Sequence, residues 1–86
     1  MPEISRFYGI TVKMYYGDHA PPHFHAEYGD DELVVQIDPV AELAGYLPRR
    51  AAGMVLDWAV IHQAELLNAW QLVQTNLPPP KIDPLP

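Results

Sequence analysis

The sequence predicts an α+β domain, an antiparallel β-meander of three to four strands packed on one face by a long or kinked C-terminal helical segment. Three observations predict it. Apolar and polar residues alternate with a period of two between Phe7 and Ile37, and turn residues interrupt the alternation at Pro21-Pro22 and at Gly29-Asp30-Asp31. After Pro48 the apolar period lengthens to that of a helix. With 86 residues the chain makes one domain, and so small a core takes up most of its apolar side chains.

The first strand is read from Phe7 to Tyr16, with Tyr8, Ile10, Val12, Met14 and Tyr16 on an apolar face and Phe7, Gly9, Thr11, Lys13 and Tyr15 on the other. Pro21 and Pro22 cannot donate to a ladder, so the second strand begins after them and runs His23 to Tyr28. Phe24, Ala26 and Tyr28 take its core side, leaving His23, His25 and Glu27 outside. In the third strand Leu33, Val35 and Ile37 alternate with Glu32, Val34, Gln36 and Asp38. Matching the two core faces requires a loop of two or four residues, and the longer loop would set His25 opposite Gln36 and His23 opposite Asp38. A short fourth strand fits around Leu43 to Tyr46, weakened by Gly45.

The stretch "LPRRAAGMVLDWAVIHQAELLNAWQLVQ" reads as helical, with Pro48 suited to a first turn. Ala52, Val55, Leu56, Ala59, Leu66, Leu67, Trp70 and Val73 fall on one stripe at helical spacing. A straight helix would place Gln63 in the middle of that stripe, so a kink or break is expected near His62 and Gln63. Trp58, Ile61, Ala69 and Leu72 widen the apolar surface, a surplus for the tail or for a protein partner. The domain spans 1–77, and 78–86 form an extended proline-rich tail with Ile82 and Leu85 to pin it.

Composition removes several function classes. There is no cysteine, which excludes disulfides, thiolate zinc sites and cysteine nucleophiles and fits a reducing cytoplasm. No leader pattern opens the chain and no apolar run approaches the roughly 20 residues a bilayer demands, so a soluble, unprocessed protein is expected. Eleven acidic against five basic residues give a net charge of -6, which weighs against a nucleic-acid partner and for a protein one.

The chemistry is concentrated in "GDHAPPHFHAEYGDDE", where three of the four histidines, His19, His23 and His25, lie within seven positions. Period two projects His23 and His25 from the same side of their strand, roughly 6 to 7 Å apart. One use is a metal site made of His23 and His25 with His19 or Asp18, suited to zinc, nickel or copper. A second is a catalytic acid-base pair, His23 and His25, for phosphodiester cleavage, with Arg6, Lys13 or Arg49 holding phosphate. A third is a docking surface of Lys13, Tyr15, His23, His25 and Glu27. Arg49 and Arg50 stand at a helix start, the unfavourable end for cations, and are candidates to bind phosphate or an acidic partner as well as a solvated pair. His62, at the edge of the stripe near Trp58 and Leu66, reads as a packed structural residue, and Asp30-Asp31-Glu32 as a solvated turn.

The segments "ISRFYGI", "MYYGDHAPPHFHAEYG" and "LPRR", with Trp58, His62, Leu66 and Trp70, resemble a small bacterial family catalogued as domain of unknown function 4160, over nearly the whole chain from Pro2 to about Leu85. The most specific part is Asp18, His19, Pro21, Pro22, His23, Phe24 and His25. The resemblance implies a bacterial cytoplasmic protein encoded beside a second small protein, an arrangement similar to a toxin-antitoxin pair, and it carries over no catalytic residues. The functional expectation is therefore the protein-binding component of such a two-gene module, partnered by the neighbouring gene product and compatible with a homo-oligomer. A ribonuclease or phosphodiesterase and a histidine metal-binding domain are its rivals.

Overall fold

A computed structural model describes residues 2–86 and bears out the α+β class with more strands than expected. Five strands, β1 (Glu3–Phe7), β2 (Ile10–Lys13), β3 (His23–Tyr28), β4 (Asp31–Ile37) and β5 (Val40–Gly45), form one antiparallel sheet in sequence order. Two helices, α1 (Arg49–Ile61) and α2 (Gln63–Gln74), pack on one face of it. No helix among the described residues is long and apolar enough to cross a membrane.

Where a single strand was expected from Phe7 to Tyr16, the chain holds the turn and second strand of a hairpin: β2 stops at Lys13, and the first strand, β1, ends at Phe7 and was not expected. Tyr8 and Gly9 both take positive φ, 49° and 80°, as a two-residue type I′ turn demands, and Phe7 pairs with Ile10. Parity therefore inverts across the turn. Phe7 joins Ile10, Val12 and Met14 in the core, whereas Tyr8 and Tyr16 are exposed. An apolar Phe7 out of phase, two residues before Gly9, is the sign of it in the sequence.

Between β3 and β4 the shorter permitted loop is taken: Tyr28 pairs with Asp31 around Gly29 and Asp30. His25 consequently faces Val34 and His23 faces Gln36, rather than Gln36 and Asp38. The last strand starts at Val40, ahead of the expected Leu43, and is interrupted by an irregularity opposite Val34 and Val35. Gly45 ends it with φ 81°, and a Cβ there would collide with the Glu32 carbonyl oxygen.

The helical stripe is rotated from the expected one: Ala51, Val55, Trp58 and Ala59 of α1 are buried, with Leu66, Ala69, Trp70 and Val73 of α2. Trp58 lies inside the core against the rings of Phe7 and Phe24. The break falls at His62, with φ -108° and ψ 23°, where the sequence located it. Gln63 has a use there, because its Nε2–H donates to the Ile37 carbonyl at 2.9 Å and satisfies the end of β4. In the tail, Ile82 is buried, its N–H donates to the Ile4 carbonyl at 2.9 Å, and Trp58 Nε1–H donates to the Asp83 carbonyl at 2.8 Å.

Two glycine substitutions separate conformational need from propensity. Gly45→Ala is expected to cost about 3 kcal/mol or more, because positive φ and a backbone collision add up. Gly53→Ala, inside α1 with nothing within 4 Å of the added methyl, should stabilise by up to about 1 kcal/mol. Urea unfolding midpoints of the two variants check both signs.

Candidate metal centre

The segment between β2 and β3 is fastened to the end of α2. Gly17 N–H donates to the Val73 carbonyl at 3.4 Å, and Gln74 Nε2–H donates to the Asp18 carbonyl at 2.9 Å. Gly17, at φ 68°, turns the chain so that the Asp18 side chain folds back over the start of β3. One carboxylate oxygen, Oδ1, accepts the His19 N–H at 2.9 Å. The other, Oδ2, faces Nε2 of His23 at 2.8 Å and Nε2 of His25 at 3.3 Å.

His23 is oriented from its other side as well. Its Nδ1 lies 2.7 Å from the Pro21 carbonyl, and since a carbonyl only accepts, Nδ1 carries the proton. Nε2 is thereby aimed at Asp18. The sequence put His23 on an open sheet face, but it is only 9 % exposed, because Trp70 of α2 packs against its ring with centroids 5.1 Å apart. His25 stands beside it, ring centroids 5.3 Å apart, and meets the Tyr15 ring edge-on at 4.5 Å. His25 Nδ1 is buried and has no hydrogen-bond partner, with a Glu32 carboxylate oxygen 3.4 Å away.

Asp18, His23 and His25 thus offer three ligand atoms within 4.8 Å of one another. His19 is not one of them: it is exposed, and what it contributes is a backbone N–H to the Asp18 carboxylate. Asp18, weighed from sequence only as a substitute for His19, takes its place. Partial burial acts to raise the Asp18 carboxyl, but the His19 N–H and the hydrogen bonds of His25 and His23 outweigh it and hold the group below the ordinary carboxylate value.

The family model described as Domain of unknown function (DUF4160) matches residues 9–71. The chain belongs to the DUF4160 family. The match is narrower than the near full-length resemblance read from the sequence: it contains Asp18, His23, His25, Trp58 and Trp70 but leaves out β1 and the tail. No curated protein and no solved structure matches the chain.

The remaining candidates of this DUF4160 domain lie in two groups. Lys13 and Tyr15 are beside the cluster, Lys13 engaged with Glu27 at 2.9 Å and Tyr15 against His25. Arg49 and Arg50 are at the start of α1 and form no ion pair among the described residues. Arg50 lines an open groove of about 530 Å³ with Tyr8, Tyr28, Pro48 and Met54. Tyr28 is the last residue of β3 and His23 its first, so the arginines and the histidine cluster occupy opposite ends of the sheet. His62 donates from Nδ1 to Glu65 at 2.6 Å beside Trp58, a local helix-junction contact.

The direction of the Asp18 shift sets an acid dependence. A carboxyl whose folded value lies below its unfolded one, about 3.9, stabilises the fold above that pH and loses the contribution as pH falls through the folded value. Asp18→Asn removes the titration. Thermal melts from pH 6 to pH 2.5 should therefore show a shallower loss of Tm below about pH 4 in the variant than in the parent; equal slopes would contradict the assignment.

Proposed function

We propose that this domain binds a single divalent transition-metal ion, zinc in the first place, through Nε2 of His23, Nε2 of His25 and a carboxylate oxygen of Asp18. The observation that carries the reading is the convergence of these three donors within 4.8 Å on a ring already oriented by the Pro21 carbonyl. Zinc bonds of roughly 2.0 to 2.1 Å in tetrahedral geometry put ligand atoms about 3.3 Å apart. The separations of 2.8 Å and 3.3 Å from Asp18 Oδ2 are close to that, so binding needs movements of well under an ångström at these contacts.

The anchoring supports the reading too. A metal-ligating histidine donates its other ring N–H to a carbonyl or carboxylate, which fixes its tautomer, and His23 does so with Pro21. Two imidazoles and one carboxylate suit zinc, nickel and copper alike and leave a fourth position for water or a further ligand. An ion there would tie the 14–22 segment to β3, a staple of the kind small domains without disulfides use.

A second reading, the protein-binding component of a two-gene module of toxin-antitoxin type, is supported by Val60 and Ile61, adjacent and more than 60 % exposed at the end of α1. The ribonuclease alternative has less support. Lys13, the cation beside the histidines, is engaged by Glu27, Arg6 in the edge strand β1 is engaged by Glu3, and the net charge is -6.

Calorimetric titration of the metal-free protein with zinc should give one site with micromolar or tighter Kd. Asp18→Asn, His23→Gln and His25→Gln should each weaken it at least about tenfold, and zinc at 100 times Kd should stabilise the parent by about 2.7 kcal/mol. Absence of saturable binding by the parent would refute the metal reading.

A further inference from the structure

We propose that Glu32 is the positioning carboxylate of this centre, accepting the Nδ1–H of His25 so that Nε2 is presented to the metal; this rests on the metal reading above. The starting point is a buried ring nitrogen with no partner. His25 Nδ1 makes no hydrogen bond, although buried polar groups nearly always do, and such an exception calls for a physical explanation, a bound ion among them. The acid beside it is Glu32, with Oε2 at 3.4 Å, beyond a good hydrogen bond but within one side-chain adjustment of it.

The chemistry of the ring says when that adjustment is needed. In the metal-free protein Nε2 of His25 faces Asp18 Oδ2 at 3.3 Å and can share a proton with it. A metal at Nε2 displaces that proton, and the neutral imidazole then carries its one N–H on Nδ1. That N–H requires an acceptor. Pro21 supplies one for His23, and Glu32 is placed to supply one for His25.

The position of Glu32 in the sheet supports the same role. It stands directly across from Glu27 in the β3–β4 ladder, a like-charge pairing that sheets disfavour. The nearby cation, Lys13, is engaged by Glu27 at 2.9 Å. Glu32 is exposed, with room to swing, and its backbone is fixed by the Tyr46 N–H, which donates to its carbonyl at 2.8 Å. The run Asp30-Asp31-Glu32, which reads as a solvated turn, therefore includes one carboxylate aimed at the site.

Zinc affinity of the full chain, measured with Glu32→Ala and Glu32→Gln beside the parent, tests the role, together with the imidazole N–H resonances of the zinc-loaded proteins. The alanine variant should bind zinc at least about tenfold more weakly, in the range expected for loss of such a partner. The glutamine variant, which keeps an oxygen acceptor without the charge, should fall between alanine and parent. A downfield His25 Nδ1–H resonance should be present in the parent and lost or shifted upfield in the alanine variant. Melts of the metal-free variants should be no lower than the parent's, since the Glu27–Glu32 opposition is relieved.

Three outcomes overturn the inference. Unchanged affinity in both variants while the parent binds zinc removes Glu32 and leaves the metal reading intact. Equal weakening in both, with the Nδ1–H resonance unmoved in either, assigns the effect to charge at a distance rather than to an acceptor. A parent that binds no zinc removes the metal reading and this inference with it.

Discussion

The burial of Trp58 is the constraint on which the layers of this domain converge. Its ring sits at 5.3 Å from Phe7 and 5.7 Å from Phe24, joining α1 to β1 and β3. A buried indole must also satisfy its N–H, and the acceptor comes from the tail, at the Asp83 carbonyl. One side chain thus ties the helix, two strands and the last residues into a single core. The proline-rich end is ordered along with them, because Ile82 enters the same cluster and donates its N–H to β1.

Much of this arrangement was legible in the sequence, and the failures have physical causes. Alternation around Phe24 and Ala26, and through Leu33, Val35 and Ile37, marks β3 and β4 because one face is buried and the other is not. The same reasoning missed β1 and ran β2 back through the turn to Phe7, since the alternation from Tyr8 onward reads without a break. Only the displaced parity of Phe7 and the glycine at position 9 record the turn. The rotation of the helical stripe has a similar origin. Trp58 belongs to the interior by size and by its contacts, but at helical spacing it lies off the line through Val55, Leu56 and Ala59, and line fitting counted positions rather than volume.

The candidate site divides along the same boundary between local and non-local information. That His23 and His25 share a side follows from strand geometry alone. That Asp18 rather than His19 completes the group depends on the path of the 14–22 segment, which is set by contacts with the end of α2, more than fifty residues away in the chain. The cover that Trp70 gives His23 is equally non-local. Glu32 is legible only once the loop length between β3 and β4 is known, because the four-residue alternative would have removed it from the strand and put Gln36 in place of Val34 across from His25.

The histidines are costly if they serve only as a strand face. Two imidazoles and a carboxylate drawn out of water lose solvation, and apolar residues of similar volume are often as stabilising in such places. A hydrogen-bonded cluster would recover that loss by saturating every donor and acceptor. This one does so on the His23 side, where Pro21 and Asp18 engage both ring nitrogens, and not on the His25 side, where Nδ1 is buried without a partner. An arrangement optimised for the metal-free fold alone would have closed that gap, since Glu32 is already within 3.4 Å. The incomplete half is consistent with the proposed centre, in which Glu32 would close that hydrogen bond once an ion is bound. The asymmetry between the two histidines thus adds to the convergence of the three donors, on which the proposal of a metal centre rests.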